Sequence, residues 1–290
     1  MPAGPPLSRR TATSDPLWAR LLLIALALAF LGLFVALPIA SVFIEAFAKG
    51  PRGYLEAILQ PDAQAALRLT LLTAALVIPA NLLFGLAVAW LLAKYDFVGK
   101  RLLMTLIDLP FAVSPVIAGL IFVLLFGAHG WFGPWLAAHD LKVIFALPGI
   151  VLATTFITFP FVAREVLPLL ESQGSDKEEA ALTLGASGLW TFFRVTLPRL
   201  KWGIVYGVIL CNARAMGEFG AVSVVSGHLR GETTTLPLHV EILYNEYDFT
   251  GAFAVASLLT LLSLVTLVVR KLTEDRHGDS PGHRPPPRKP

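Results

Sequence analysis

The chain is 290 residues long, 56% hydrophobic and only 15% charged, against about 25% charged in an ordinary soluble domain. One aqueous core of this size cannot hide that much apolar surface, so part of it faces lipid, which excludes a soluble enzyme, a disordered chain and a nucleic-acid-binding domain as first readings. The net charge of +3 matters less than where the charges sit, and the single cysteine, Cys211, excludes an internal disulfide and a cysteine-based zinc cluster.

A hydrocarbon core about 30 Å thick needs about 20 helical residues to cross it. Six stretches qualify: 20–44, 67–92, 103–126, 143–163, 203–225 and 252–269. None alternates as a barrel strand would, so the expected fold is all-α. The first stretch follows Arg9 and Arg10 as the apolar part of a signal peptide would. Its run from Leu21 to Ile44 far exceeds the 7–15 or so residues of such a segment, so a retained helix is expected. Pro79, Pro110, Pro115, Pro148 and Pro160 lie in or near the next three stretches and predict kinks. Asp108, just before Pro110, is placed to cap freed backbone groups.

The connection 164–202 is long and organised. Ser175-Asp176-Lys177-Glu178 has the form of a capping box, a hydroxyl for one free amide and a carboxylate for another. The helix it opens carries Ala180, Ala181, Leu182 and Leu184 and stops at Gly185. Ser187 can cap a second helix expected to end near Pro198. Two alanines give little area for lipid binding, but small side chains let another protein surface approach closely.

The fifth stretch contains Asn212, Arg214 and Glu218. Charges inside a span are expensive and face a partner or a watery cavity. Arg214 and Glu218 stand one helical turn apart and can pair, either as a structural ion pair or as part of a gate or path lined by this face. Gly217 and Gly220 around Phe219 permit close helix approach or local unwinding. Beyond it, His228, Arg230, His239 and Glu241 read as a solvated loop. His239 and Glu241 are two apart, wrong for one helix face, so no metal site is expected there. The tails 1–16 and 271–290 are rich in Pro, Ser and Arg and are expected to be disordered.

The basic residues fall unevenly between the connections. Arg9, Arg10, Arg20, Lys94, Lys100, Arg101, Arg164, Lys177, Arg194, Arg199, Lys201 and the basic C-terminal tail lie on one side. Only Lys49, Arg52, Arg68, Lys142 and Arg230 lie on the other. The positive-inside rule then puts both termini in the cytoplasm, which agrees with an even number of spans.

Glu179-Ala180-Ala181, Gly185, and Val195-Thr196-Leu197-Pro198, at their fixed spacing in the long loop before the fifth span, resemble the EAA motif of ABC-importer permeases. Val195 stands where that family's pattern has Ile. The stretches Gly217-Glu218-Phe219-Gly220-Ala221 and Thr233-Thr234-Thr235-Leu236-Pro237-Leu238 resemble segments of oxyanion importers for sulfate and molybdate. The longer runs 213–228 and 239–247 are closer to the CysW-type permeases of sulfate/thiosulfate importers. The resemblance covers roughly 63–270 and implies a type I ABC-importer permease fold with six transmembrane helices and both termini cytoplasmic. It divides the chain into a tail (1–16), a first transmembrane helix with its outer loop (17–62), an importer domain (63–270) with a coupling loop (164–202), and a C-terminal tail (271–290).

The same resemblance implies function. Glu179, Ala180, Ala181, Gly185, Leu197 and Pro198 would form the ATPase-coupling segment. Asn212, Arg214, Gly217, Glu218, Phe219 and Gly220 are candidates for the translocation path or gate. No Gly-x4-Gly-Lys-Ser/Thr loop and no His-Glu-x-x-His occur, so no catalytic residue and no cofactor are expected on this chain, with ATP and Mg on a partner ATPase. The expected partners are a T-type sulfate permease subunit, two ATPase subunits, a periplasmic sulfate/thiosulfate-binding protein and membrane lipid, but no nucleic acid. The expected location is the bacterial inner membrane. Alternatives are a molybdate/tungstate permease of the same family and a stand-alone secondary anion transporter. The latter needs coupling carboxylates at mid-membrane, and only Glu218 qualifies.

Overall fold

The computed structural model describes residues 16–275; the N-terminal tail and the end of the C-terminal tail lie outside them. Among the described residues every regular element is helical. α1 (Leu17–Leu31), a π-helical turn (Gly32–Ala36) and α2 (Leu37–Ala46) form one continuous rod. Its apolar side chains are exposed almost throughout, as suits a surface solvated by lipid rather than water. Only its end is packed: Ala46 joins Ala57 of α3 (Gly50–Leu59) and Ala254 of α14 (Phe249–Asp275).

The centre is a three-helix packing unit. α4 (Pro61–Lys94) has 34 residues, about 51 Å at 1.5 Å per residue, and is therefore longer than a core of about 30 Å requires. It packs along α8 (Leu147–Gln173), which packs along α11 (Leu197–Met216). The helices come close because one side of each contact lacks a side chain. A methyl on Gly85 would sit 2.7 Å from Val162 Cβ, and one on Gly207 would sit 3.0 Å from Val162 Cα. Where lipid gives no hydrophobic push between helices, such close contacts and interhelical hydrogen bonds hold the bundle. One polar knot does the latter at full burial. The Asn81 amide donates to Thr158 Oγ1 (2.7 Å) and Cys211 Sγ (3.3 Å), and Thr158 donates to the Thr154 carbonyl (2.6 Å).

The third expected span, in which Pro110 and Pro115 predict kinks, is two helices, α5 (Lys100–Ala112) and α6 (Pro115–Phe126), meeting at 109°. Pro115 forces the residue before it out of helical conformation, and Ser114 accordingly has ψ 135°. The fifth stretch is broken too. α11 and α12 (Gly220–Ser226) meet at 53° across Gly217–Phe219. Helices long and apolar enough to cross a membrane number four among the described residues, or six if each bent pair is one span.

α7 (Gly133–Ala138) and α13 (Leu236–Asn245) lie in connections at the end of the bundle opposite the long loop. Leu236 and Leu243 of α13 bury against Ala63 and Ala66 of α4 and Ala252 and Val255 of α14. That packing corrects the expectation of a solvated loop at His239, which is buried along with Thr233, Thr234 and Thr235, while His228 and Arg230 are exposed as expected. α14 continues to Asp275, past residue 271 where a disordered tail was expected.

Candidate functional site: a coupling turn and a broken helix

The long loop folds as α9 (Asp176–Thr183), then α10 (Gly188–Thr191), then a π-helical turn (Phe192–Thr196) that runs straight into α11. Gly185 turns the chain between α9 and α10 with φ +89°, in the left-handed region where a side chain is strained. Ser187 caps α10 as expected, accepting from the Trp190 amide at 3.3 Å. Two other expectations are corrected. The second helix does not end at Pro198. A proline ring clashes with the carbonyl four residues back in a regular α-helix, and here the wider π turn directly precedes α11, whose first turn holds Pro198, so the helix passes through. Nor does the capping box form. The Ser175 hydroxyl donates to the Glu179 carboxylate instead of accepting from an amide.

Glu178 is occupied elsewhere. Its Oε2 meets Lys94 Nζ at 2.6 Å, and its Oε1 accepts from Thr196 Oγ1 at 2.7 Å. Both charged side chains are largely buried, 16% exposed for Lys94 and 11% for Glu178. Its neighbour Glu179 faces out, as do Ala180, Leu182 and Leu184. Ala180, Ala181, Leu184, Gly185, Trp190 and Val195 line an open hollow of about 830 Å³. Glu179, Ala180, Ala181 and Gly185 are thus on one exposed turn. Leu197 is not with them: it lines an apolar groove with Pro79, Leu82 and Ile204, at the foot of α11, where Pro198 is also exposed.

The second group gathers where α11 breaks. Arg214 Nη1 meets Glu218 Oε2 at 2.6 Å, with the Glu218 side chain 1% exposed and that of Arg214 35%. Glu218 Oε1 also accepts from the Ala221 amide at 2.9 Å. The same carboxylate therefore pairs with the last turn of α11 and caps the start of α12, satisfying one of the amides that the bend frees inside an apolar layer. Gly217 and Phe219 are exposed at the break, and Asn212 is half-buried one turn earlier. The break is seated on the other one: a methyl on Gly220 would lie 2.8 Å from Pro115 Cβ, and one on Gly119 would lie 2.8 Å from the Ala221 carbonyl oxygen. Two discontinuous helices thus touch at their discontinuities.

At the far end, Arg230 pairs with Glu246 and lies 4.0 Å from Asp62, His228 lies 3.4 Å from Glu241, and Lys49 lies 3.3 Å from Asp248. Burial lowers the pKa of His239, partly opposed by the charge of Asp62.

Sequence reasoning missed Lys94, Thr196, Asn81 and the buried role of Glu178. Lys94 had counted only as a topology charge. The sequence offered only a lysine at the end of an apolar helix and, in a different connection, a helix whose first turn holds Asp176, Glu178 and Glu179; that the two meet is a tertiary fact.

Residues 81–277 match the family described as "Binding-protein-dependent transport system inner membrane component". The chain is 52% identical over 257 residues to the "Sulfate transport system permease protein CysW" of a Synechocystis strain, covering 89% of this chain and 93% of that one. It is 47% identical to the protein of the same description from Escherichia coli K12, covering 89% of each. It is 38% identical to the "Sulfate transport system permease protein CysT" of Escherichia coli K12, covering 87% and 91%. Among solved structures it superposes on a chain of a bacterial alginate ABC transporter bound to a periplasmic protein carrying an alginate pentasaccharide. The TM-score is 0.76 at 16% identity, over 91% of this chain and 96% of that one, a likeness of fold.

Proposed function

The chain belongs to the family of binding-protein-dependent transport system inner membrane components, and from that premise we propose that it is a permease subunit of an ATP-driven sulfate importer. The observation that carries this reading is near-half identity, over almost the whole chain, to sulfate permeases. The chain is a transport subunit, not an enzyme. It sits in the bacterial inner membrane with six spans, the bent pairs α5–α6 and α11–α12 each counting as one, and with both termini in the cytoplasm. The placement of the basic connections supports that orientation. A CysT-type permease completes the membrane path, two ATPase subunits bind ATP and Mg below, and a periplasmic binding protein delivers sulfate or thiosulfate above.

In this reading the α9–α10 turn seats on an ATPase. Ala180, Ala181 and Gly185 leave room in its hollow, beside Leu184 and Trp190, for a foreign surface to approach closely, and Glu179 on the same turn offers an exposed charge. ATP-driven closure of the ATPases moves the turn, and the motion opens and closes the path at the α11–α12 break. Asn212, Arg214, Gly217, Glu218, Phe219 and Gly220 form or flank that path. Glu218 neutralises most of the Arg214 charge, so a divalent anion meets dipoles and partial charge there rather than a tight cationic trap, which is what passage without retention requires.

The test is labelled sulfate uptake by bacteria lacking this chain, with the wild-type copy or Glu179→Lys restored, with and without excess molybdate. The expected result is uptake with the wild type, little with Glu179→Lys at equal membrane levels, and weak competition by molybdate. Molybdate-sensitive uptake without sulfate uptake would overturn the substrate, and a fully active Glu179→Lys would overturn the coupling role of the turn.

A further inference from the structure

The docking turn must pull on the membrane helices through some contact, and Glu179, Ala180, Leu182 and Leu184 face outward from it. Inward, Glu178 holds both of the helices that matter. One carboxylate oxygen is 2.6 Å from Lys94 at the end of α4, and the other takes the Thr196 hydroxyl at 2.7 Å from the foot of α11. Lys94 also reaches the Gly174 carbonyl at 3.3 Å, at the end of α8. Trp90, one turn before Lys94, packs edge-on against Phe192 in the same π turn that holds Thr196. Thr196 is 1% exposed. From Thr196 to the break at Gly217 the chain is one helix, about 30 Å long at 1.5 Å per residue.

We propose that Lys94, Glu178 and Thr196 are the link that transmits the motion of the docking turn to α4 and α11. They act as positioning residues and touch neither nucleotide nor sulfate. A buried carboxylate between two donors is suited to this. Parting from Lys94 would strand a charge in a largely buried place, and parting from Thr196 would strand a buried hydrogen-bonding group, so a shift of α9 carries α4 and α11 along. Hydrophobic contact alone would let the elements slide. Glu179, the adjacent acid, faces out and does the separate work of docking; the link rests on that docking reading.

The experiment uses the whole transporter, with partner permease and ATPases, in proteoliposomes with the binding protein. Sulfate uptake and ATP hydrolysis are measured for the wild type, Lys94→Glu, Glu178→Lys, the double swap Lys94→Glu/Glu178→Lys, and the milder Glu178→Gln and Thr196→Val. The expected result is that each charge reversal lowers sulfate moved per ATP hydrolysed by at least about tenfold while the subunits still co-purify. The double swap should recover to within about threefold of wild type, and Glu178→Gln and Thr196→Val should give intermediate ratios. An unchanged ratio in the single variants overturns the proposal. So does loss of ATPase co-purification that the swap fails to restore, which would make these residues structural only. A wild type that hydrolyses ATP but moves no sulfate would sink the substrate assignment instead. The link is then judged by whether stimulation of hydrolysis by the binding protein is lost in Lys94→Glu and regained in the swap.

Discussion

Removing either half of the Arg214–Glu218 pair should destabilise the chain unequally, and the order follows from burial. The gross attraction of two unit charges 2.6 Å apart is about 6 kcal/mol at an effective dielectric constant of 20, but the net effect depends on what each survivor can do. In Arg214→Gln the Glu218 carboxylate, 1% exposed, keeps its bond to the Ala221 amide and loses its counter-charge in a dry site. The penalty for stranding a buried charge is about 3–5 kcal/mol. In Glu218→Gln the survivor is Arg214, about a third exposed, whose long side chain can reach polar surroundings. The amide oxygen of glutamine can still cap Ala221, so the loss is about 1–2 kcal/mol. The double variant strands nothing and should cost about as much as Glu218→Gln alone, a coupling of about 3–5 kcal/mol, the whole of the Arg214→Gln loss. Reversible unfolding of the purified chain in mixed micelles, compared across all four forms, measures this. A Glu218→Gln variant as damaging as Arg214→Gln, or two additive single losses, would refute the argument that one buried carboxylate closes the break.

Gly85→Ala should lower the folded, membrane-inserted yield, because its methyl meets the Val162 Cβ at 2.7 Å and the Ala163 backbone nitrogen at 3.0 Å, an overpacking cost of about 1–3 kcal/mol. Gly203→Ala should be neutral or slightly stabilising, since its methyl meets first the mobile tip of Leu169 and alanine favours the helix by about 1 kcal/mol; thermal stability in detergent distinguishes the pair. His239 should make the fold acid-sensitive. Burial holds its pKa below the ordinary histidine value, so below about pH 6.5 the unfolded chain binds a proton the folded chain refuses. Stability present above that pH is therefore lost progressively as pH falls, and thermal stability of His239→Gln should lack this component of the decline. An identical pH profile in the variant would rule out His239 as its source.

The apolar spans were legible because lipid demands long runs, and a run such as 67–92 has no other use. Pro115 and the glycines at 217 and 220 marked where the two breaks could fall, but not which marked position would break a helix or by how much. Pro79 and Pro115 both sit in apolar stretches, yet Pro79 lies within the unbroken α4 while Pro115 starts a new helix. The difference is tertiary: the extended Ser114 and the seat that Gly220 leaves for Pro115 are visible only once α12 is in place. Arg214 and Glu218 could be paired in advance because their spacing is the helix period and a charge inside a span has few partners. Asn81 could not, because its partners Thr158 and Cys211 lie on two other helices and nothing local marks the position.

Glu178 and Glu179 carry the same lesson into function. Local pattern assigned Glu178 to the backbone of its own helix, as the fourth residue of a capping box. The fold had a stronger bidder for that carboxylate, the Lys94 ammonium at 2.6 Å with Thr196 on its other oxygen, and a charge-assisted contact in a buried place outweighs a cap of about 1 kcal/mol. The displaced hydroxyl of Ser175 then turned to Glu179. Successive residues on a helix point about 100° apart, so two adjacent acids need not share a face. One looks inward and ties the turn to α4 and α11, and the other looks outward to the surface where an ATPase would sit. A coupling element needs both faces: a docking surface with no inward anchor would bind without moving anything, and an anchor with no docking surface would have nothing to transmit. On the proposed reading the pair of glutamates supplies the two in consecutive positions, so reversing Glu178 and reversing Glu179 should fail differently, the first with ATPase bound and uncoupled, the second with ATPase docking itself weakened.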